Sequence, residues 1–390
     1  MEYHQSINTF SHEDIKFDPE DTLKEVWPSE TISQRIQQIK NIILKYKRVF
    51  RGDIGEVRDD NFLVRASIDH ESSTLSTNRC RNYYESMSEA VKQAVLDKFR
   101  RELAQRVLVP TSTLGIVPKN VLPVFGIPKK GATGKEILLD ASRVRLIADC
   151  SKGVNKATTH RAAATDDIRF IARKVARYSK TGFTFSVDVA DAFYCFKLSP
   201  DLVPYFCIHH PEYGMCAYTR LPQGWVSSPQ NCRDFLHFIL INQNKHLVRY
   251  LDDICGGAES WDEFLTVFEG LLKTLEYYNL RLKGSKVTIL GKSLDFLGKK
   301  IVDGKIYPNP HTIDRINSYE PSDITTIGQM LSFIGMMSYI SDHIFQSSTV
   351  LHDLRQACKG APAEHFQWTE DLRKKFQEAK NAISRCVVLA

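Results

Sequence analysis

Two adjacent aspartates, Asp252 and Asp253, lie in the run Tyr250-Leu251-Asp252-Asp253, between Leu247-Val248-Arg249 and Ile254-Cys255-Gly256-Gly257. The flanks read as two short strands joined by a tight turn. Two carboxylates at a hairpin tip repel, and one tends to take up a proton unless a cation sits beside them. A divalent ion removes that repulsion, and hard oxygen ligands suit Mg²⁺. Asp-Asp is also good turn chemistry, so the pair alone leaves both readings open. A third acid changes the weighting. In Phe183-Thr184-Phe185-Ser186-Val187-Asp188-Val189 the apolar residues recur with period two and point into a core, while Thr184, Ser186 and Asp188 point the other way. Asp188 thus ends the polar face of a strand. Beside the Asp252-Asp253 hairpin it completes the carboxylate set that two-metal phosphoryl chemistry requires.

The elements that must position these acids can be read coarsely. Residues 32–49 carry Ile32, Ile36, Ile39, Ile43 and Tyr46 on one helical face, and 87–107 read as a second amphipathic helix. Residues 62–68 read as a short strand, and 121–147 as strand-like runs broken by Gly131 and Gly134. Cys232, Phe235, Leu236, Ile239 and Leu240 form one buried helix face, and Phe264, Leu265, Phe268, Leu271, Leu272 and Leu275 form another. The expected class is α+β, with helices on one face of an antiparallel sheet.

The chain has 390 residues, 43% hydrophobic and 25% charged, as in an ordinary globular protein with room for several subdomains. No run approaches the roughly 18 apolar residues of a membrane span, and the N-terminus lacks a signal-peptide pattern. Nine scattered cysteines without a Cys-x-x-Cys pair argue against a zinc site or disulfide framework and for a reducing cytoplasm. Net charge is +6, but residues 281–305 hold seven bases against two acids. That stretch suits either phosphate tracking or a solvated face.

Four motifs, in order, resemble those of the reverse transcriptases of retroviruses and LTR retrotransposons, most of all the Ty3/gypsy type. They are Asp188-Val189-Ala190-Asp191-Ala192-Phe193, Leu221-Pro222-Gln223-Gly224-Trp225 with Ser228-Pro229, Tyr250-Leu251-Asp252-Asp253, and Phe296-Leu297-Gly298. The likeness runs co-linearly from about residue 35 to 390. It implies an α+β right-hand polymerase of fingers, palm and thumb with a ferredoxin-like antiparallel palm sheet. The implied division is a lead-in with first palm elements (1–84), fingers (85–180), palm (181–204), fingers (205–235), palm (236–305), thumb (306–365) and the start of a connection or RNase H linker (366–390). The chain stops before any RNase H carboxylates and has no Asp-Ser-Gly or Asp-Thr-Gly protease motif.

The resemblance further implies that Asp188, Asp252 and Asp253 are catalytic and, with the Val189 carbonyl, hold two Mg²⁺ ions, for which Mn²⁺ can substitute. It assigns the incoming nucleotide to Lys130, Arg145, Asp191, Ala192, Phe193, Gln223 and Lys286. Phe193 would be the steric gate against a 2′-hydroxyl, or else a core aromatic. Lys135 rivals Lys130, and Lys286 is either the proton donor to pyrophosphate or a surface lysine. Template and primer fall to Gly224, Pro229, Tyr250, Phe296, Leu297, Gly298, Gly335 and Tyr339. Gly328, Ser332, Gly335 and Tyr339 share a helix face that suits a duplex minor groove or helix packing, while Ile327, Leu331 and Ile334 read as core. The implied activity is RNA- and DNA-templated DNA synthesis. The implied partners are a template–primer duplex and deoxynucleoside triphosphates, with no membrane. A homodimer is compatible with the family, as is excision from a Pol polyprotein carrying protease, RNase H and integrase, in the cytoplasm within a virus-like particle. The rival readings are a catalytically silent nucleic-acid-binding or structural subunit and an RNA-copying RNA polymerase.

Overall fold

The computed structural model describes residues 13, 15–17, 28–78, 82–129, 134–159, 168–243, 245–344, 347–383, 388 and 389. At its centre is a sheet built from Thr184–Asp188, the hairpin Leu247–Tyr250 and Asp253–Gly257, and the short strand Thr288–Ile289. With the helices Ser228–Ile239 and Trp261–Tyr277 between them, these strands run strand, helix, two strands, helix, strand. In space the fourth strand lies next to the first, then the third, then the second, the arrangement of a split ferredoxin-like unit. Every pairing among them is antiparallel. Lys16–Phe17 adds to the outer edge in parallel.

The helix Trp261–Tyr277 begins at Ser260, whose Oγ accepts the Glu263 N–H at 3.3 Å, with Asp262 and Glu263 favourably placed in the first turn. It lays Phe264, Phe268, Leu271, Leu272 and Leu275 on the sheet, with Phe268 tilted against Phe185. The expectation of helices on one face only is corrected. Helix Ile168–Ser179 covers the opposite face, packing Ile171, Ala172, Val175 and Ala176 with Val248 and Cys255. Two glycines make room for these packings. A Cβ on Gly256 would overlap the Phe185 ring, and one on Gly257 would stand 2.6 Å from Tyr178 Cβ. The Thr184 end of the supposedly open face is therefore buried, and Thr184 Oγ1 donates to Gly291 O at 2.9 Å. Towards the other end, Ser186 and Asp253 are half-buried and Asp188 is buried.

A four-stranded sheet ordered Leu108–Pro110, Gly214–Tyr218, Cys207–His210 and Val121–Leu122 takes two strands from before the first central strand and two from between the first and the second. A separate hairpin, Val124–Pro128 with Val144–Ala148, packs against helix Glu89–Ala104. Gly134 starts a short helix, Gly134–Leu139, where a broken strand was expected. Residues 62–68 form no strand. Val64 and Ile68 make single bridges to Leu198 and Thr158, partners too short to extend a ladder. After the central sheet a three-stranded meander, Ser293–Phe296, Lys299–Val302 and Lys305–Pro308, leads into helices Pro310–Asn317, Ile327–Tyr339, Ser347–Gln356 and Glu370–Ile383. These helices share their own core around Phe333, Met337, Leu354 and Phe376. Thr326 and Gln329 form a reciprocal capping box that starts Ile327–Tyr339. Leu331 is 42% exposed, against expectation. The buried stripe is instead Ile327, Met330, Phe333, Ile334 and Met337, because the helices around Leu351 and Phe376 lie on that side. Among the described residues no helix is long and apolar enough to cross a membrane.

The Gly256 packing can be tested directly. Gly256→Ala should destabilise the fold by roughly 1–3 kcal/mol, the usual cost of overpacking, read as a lowered denaturant midpoint. An unchanged midpoint would show that the Phe185 contact is slack.

Candidate active site

The acids meet because of strand register. Asp188 pairs directly with Asp253, Val187 with Ile254 and Phe185 with Gly256. Directly opposed residues share a face, so Asp188, Asp253 and, through the hairpin pairing of Asp253 with Tyr250, the tyrosine all point one way. Leu251 takes φ +55° in the turn, a costly conformation for a branched residue of the kind that functional turns retain. The Val189 N–H donates to the Asp252 carbonyl at 3.0 Å, closing the two segments together.

The side chains carry the expected electrostatic stress. Asp188 is 8% exposed. Burial, then the neighbouring Asp188 and Asp252 carboxylates, push Asp253 up to about 6. Burial and then Asp188 also raise Asp252, against the opposing fields of Lys286 and Arg145. Lys286 Nζ donates to Asp188 Oδ1 at 2.8 Å. Burial pulls this ammonium down, but Asp188, Asp252 and Asp253 outweigh it and leave its pKa raised. Among the described residues no three His, Cys, Asp or Glu side chains already form a metal-binding group. The lysine stands where a cation is wanted, and adjacent carboxylates resisting ionisation are a donor set suited to a hard divalent ion.

Cations from separate segments surround these acids. Lys129 is depressed by burial and then by Lys283, Lys98, Lys286 and Arg145. Arg145 is exposed on the strand Val144–Ala148. Lys130 lies outside the described residues, and its rival Lys135 is exposed on the helix Gly134–Leu139. Sequence reasoning missed Lys129 and Lys98, and took Lys283 only as one base of the stretch 281–305. The Lys129-Lys130 doublet was the available signal for the first, whereas the other two are collected only by folding.

The next motif packs beside this cluster. The Gln223 carbonyl accepts the Ala148 N–H at 3.0 Å. Gly224 has φ +112°, and a Cβ there would overlap the Ala148 oxygen, so the loop requires glycine. Asn155 clasps the loop, donating to Gly224 O at 3.1 Å and accepting from Val226 N at 2.8 Å. Pro229 lies in the first turn of Ser228–Ile239, where its missing N–H costs nothing. Ala192 is buried, and Phe193 is half-buried on the turn Ala192–Cys195. Asp191 Oδ2 is held by Arg101 Nη2 at 2.8 Å.

Leu297 and Gly298 form the tip between the first two meander strands, both at positive φ, as a two-residue hairpin prefers. Phe296 is buried behind them with Tyr250. Tyr339 Oη donates to the Leu297 carbonyl, and a Cβ on Gly298 would collide with that phenol. Gly335 faces open space, whereas a Cβ on Gly328 would stand 2.9 Å from the Pro362 carbonyl. The small-residue stripe therefore divides, packing at Gly328 and open at Gly335.

Residues 127–301 match the family model described as reverse transcriptase (RNA-dependent DNA polymerase). The chain is 28% identical over 214 residues to the Gag-Pol polyprotein of Woolly monkey sarcoma virus, covering 52% of this chain and 12% of that protein. It is 28% identical over 215 residues to that of Avian reticuloendotheliosis virus, covering 52% and 18%. The match to the reverse transcriptase family thus covers residues 127–301, under half of the chain. The chain spans under a fifth of the length of these polyproteins. These relatives are retroviral and do not single out the Ty3/gypsy type. The foamy viral protease–reverse transcriptase in complex with double-stranded DNA shares the fold at TM-score 0.74 and 18% identity, over 96% of this chain and 61% of that one. The same protein in complex with RNA/DNA hybrid gives TM-score 0.70 and 17% identity, over 94% and 46%. The reverse transcriptase fold is thus the α+β polymerase architecture.

A raised carboxyl implies a stability sign. Unfolded, Asp253 titrates near its ordinary value of about 3.9; folded, it holds its proton to about 6. Between those values the folded state binds more protons, so this group's contribution to stability falls as pH rises. Asp253→Asn should therefore raise the metal-free protein's stability at pH 7 by on the order of 1 kcal/mol and flatten its pH dependence between about 4 and 6. A thermal midpoint at or below wild type would show the carboxylates are not in conflict.

Proposed function

We propose that this chain elongates a primer 3′ end with deoxynucleotides copied from an RNA or DNA template, with two Mg²⁺ ions as cofactors. The observation that carries the reading is the direct cross-strand pairing of Asp188 with Asp253 beside Asp252. Asp188 and Asp252, with Asp253 and the Val189 carbonyl, would hold the metals. Bound there, the ions would acidify the attacking hydroxyl and neutralise charge on the departing pyrophosphate.

The chain's own groups do the rest. Lys286 Nζ, charged at neutral pH, would leave Asp188 and deliver a proton to the pyrophosphate oxygen. Arg145, Lys129 and the adjoining Lys130 suit the triphosphate, as a guanidinium fork and point charges do. Phe193 would lie under the sugar and exclude a 2′-hydroxyl, with Asp191, Ala192 and Gln223 shaping the rest of that pocket. Gly224 and Pro229 would meet the template. Tyr250, Phe296, Leu297 and Gly298 would meet the primer, and Gly335 and Tyr339 the minor groove of the duplex. The separate sheets and helical core support a division into fingers, palm and thumb, but helix Ile168–Ser179 packs on the central sheet and helix Glu370–Ile383 in the C-terminal helical core, outside the boundaries given above. We place the chain within a Pol polyprotein in a virus-like particle, as a monomer or homodimer.

Primer extension on RNA and DNA templates, with and without Mg²⁺, tests the reading. Asp252→Asn should fold normally and lose roughly a thousandfold or more in rate, several kcal/mol of transition-state stabilisation. Near-normal extension by that variant refutes the assignment. Phe193→Ala should admit ribonucleotides. Wild-type preference for ribonucleotides would make the chain an RNA polymerase, and metal-independent binding without extension would make it a silent subunit.

A further inference from the structure

The turn that carries Phe193 is fixed at both ends by two consecutive residues of helix Glu89–Ala104. Arg101 takes the entry: its Nη2 donates to Asp191 Oδ2 at 2.8 Å, while Asp191 holds a left-handed φ of +49°. Glu102 takes the exit. It is only 5% exposed, and its Oε2 accepts the Tyr218 hydroxyl at 3.3 Å. Tyr194, the residue after Phe193, is buried beside the same carboxyl and interacts with it electrostatically. Its ring stacks on Tyr218, centroids 6.2 Å apart and planes 17° from parallel. The Tyr194 carbonyl accepts from Arg220 Nη1 at 3.0 Å, and the same guanidinium holds the Gly55 and Gln105 carbonyls and the Glu56 carboxylate. Asp191 and Tyr194 are therefore immobilised, and Phe193 projects between them.

A buried glutamate costs stability unless its oxygens are satisfied. A satisfied buried network does something apolar packing does not: it fixes the direction of the groups it binds. We infer that Glu102 is a positioning residue for Phe193. Acting through Tyr194 and Tyr218, it sets the depth and tilt of the ring and thereby the discrimination between deoxy- and ribonucleotides. It touches no substrate atom. The inference rests on the proposed gate role of Phe193. Burial holds the Glu102 carboxyl up at about 7, so a glutamine closely copies its neutral form, whereas a leucine keeps the volume and removes both acceptors.

The test is single-nucleotide incorporation with matched deoxy- and ribonucleotides by wild type, Glu102→Leu, Glu102→Gln and Phe193→Ala. Glu102→Leu should keep deoxynucleotide kcat within about threefold while the deoxy-to-ribo ratio of kcat/KM falls about tenfold. Glu102→Gln should keep that ratio within about twofold of wild type, as a shape-conserving replacement does. Glu102→Leu should lower the thermal midpoint by a few degrees, the cost of a buried tyrosine hydroxyl left unpaired, yet unfold in one cooperative transition, separating lost selectivity from lost folding. If Phe193→Ala relaxes selectivity but Glu102→Leu does not, the inference is overturned and the gate reading survives. If Phe193→Ala leaves selectivity unchanged, the gate reading fails and takes the inference with it. A proportional loss of both activities in Glu102→Leu would mark the residue as merely structural.

Discussion

Everything at the centre of this molecule follows from placing like charges side by side in a strand pairing that cannot slip. A shift of one residue between Thr184–Asp188 and Asp253–Gly257 would turn one carboxylate to the opposite face of the sheet. The aromatic core prevents it. Phe185 needs the missing side chain of Gly256, and Tyr178 needs that of Gly257, so only one register lets both helices close on the sheet. Hydrophobic packing several residues away thus holds together acids that would otherwise separate. Folding stability is spent at the site, and a cation recovers it.

The compensating positive charge is distributed with equal specificity. Much of the basic stretch from Arg281 to Lys305 is committed to internal contacts. Arg281, 5% exposed, donates to both Asp53 oxygens. Lys286 neutralises Asp188, and Lys292 pairs with Asp303. Lys299 is the one charged residue on the inner face of the meander, alongside Leu294, Phe296, Ile301 and Ile306, and is 4% exposed. Its ammonium lies 3.6 Å from Asp342 and 3.5 Å from His343, in the turn after helix Ile327–Tyr339. With the Tyr339 hydroxyl on the Leu297 carbonyl, that contact joins the C-terminal helices to the hairpin tip beside Tyr250. Through Arg281, Lys286 and Lys299 the stretch therefore ties three parts of the fold together.

The same economy holds around the nucleotide pocket. Arg101 and Arg220 reach the turn after Asp188 with their guanidiniums and Arg281 with its carbonyl, which accepts the Ala190 N–H, while Asp53, Gly55 and Glu56 provide a common N-terminal strap. Guanidiniums suit this work because several fixed donors can satisfy several acceptors at once. The acids and the proposed gate are thereby held to one frame.

What could be read from the chain alone was whatever chemistry is local. The Asp252-Asp253 turn, the period-two strand ending at Asp188, and the apolar face of 264–275 depend on residues a few positions apart, and backbone periodicity writes them directly into the order of amino acids. The glycine requirement at Gly224 is of the same kind, a turn residue whose conformation excludes others. What tertiary structure alone decided involves partners far apart. Residues 62–68 look like a strand by composition but find only single bridges, because Leu198 and Thr158 offer no longer ladder. Leu331 follows a plausible apolar stripe, yet the packing of helices around Leu351 and Phe376 buries Met330 and Phe333 instead. The second helix over the sheet depends on Gly257 meeting Tyr178 some eighty residues away. Lys98, Lys129 and Lys283 share a field with Lys286 because three separate segments converge, and Coulomb energy depends on distance in space, which no spacing along the chain records.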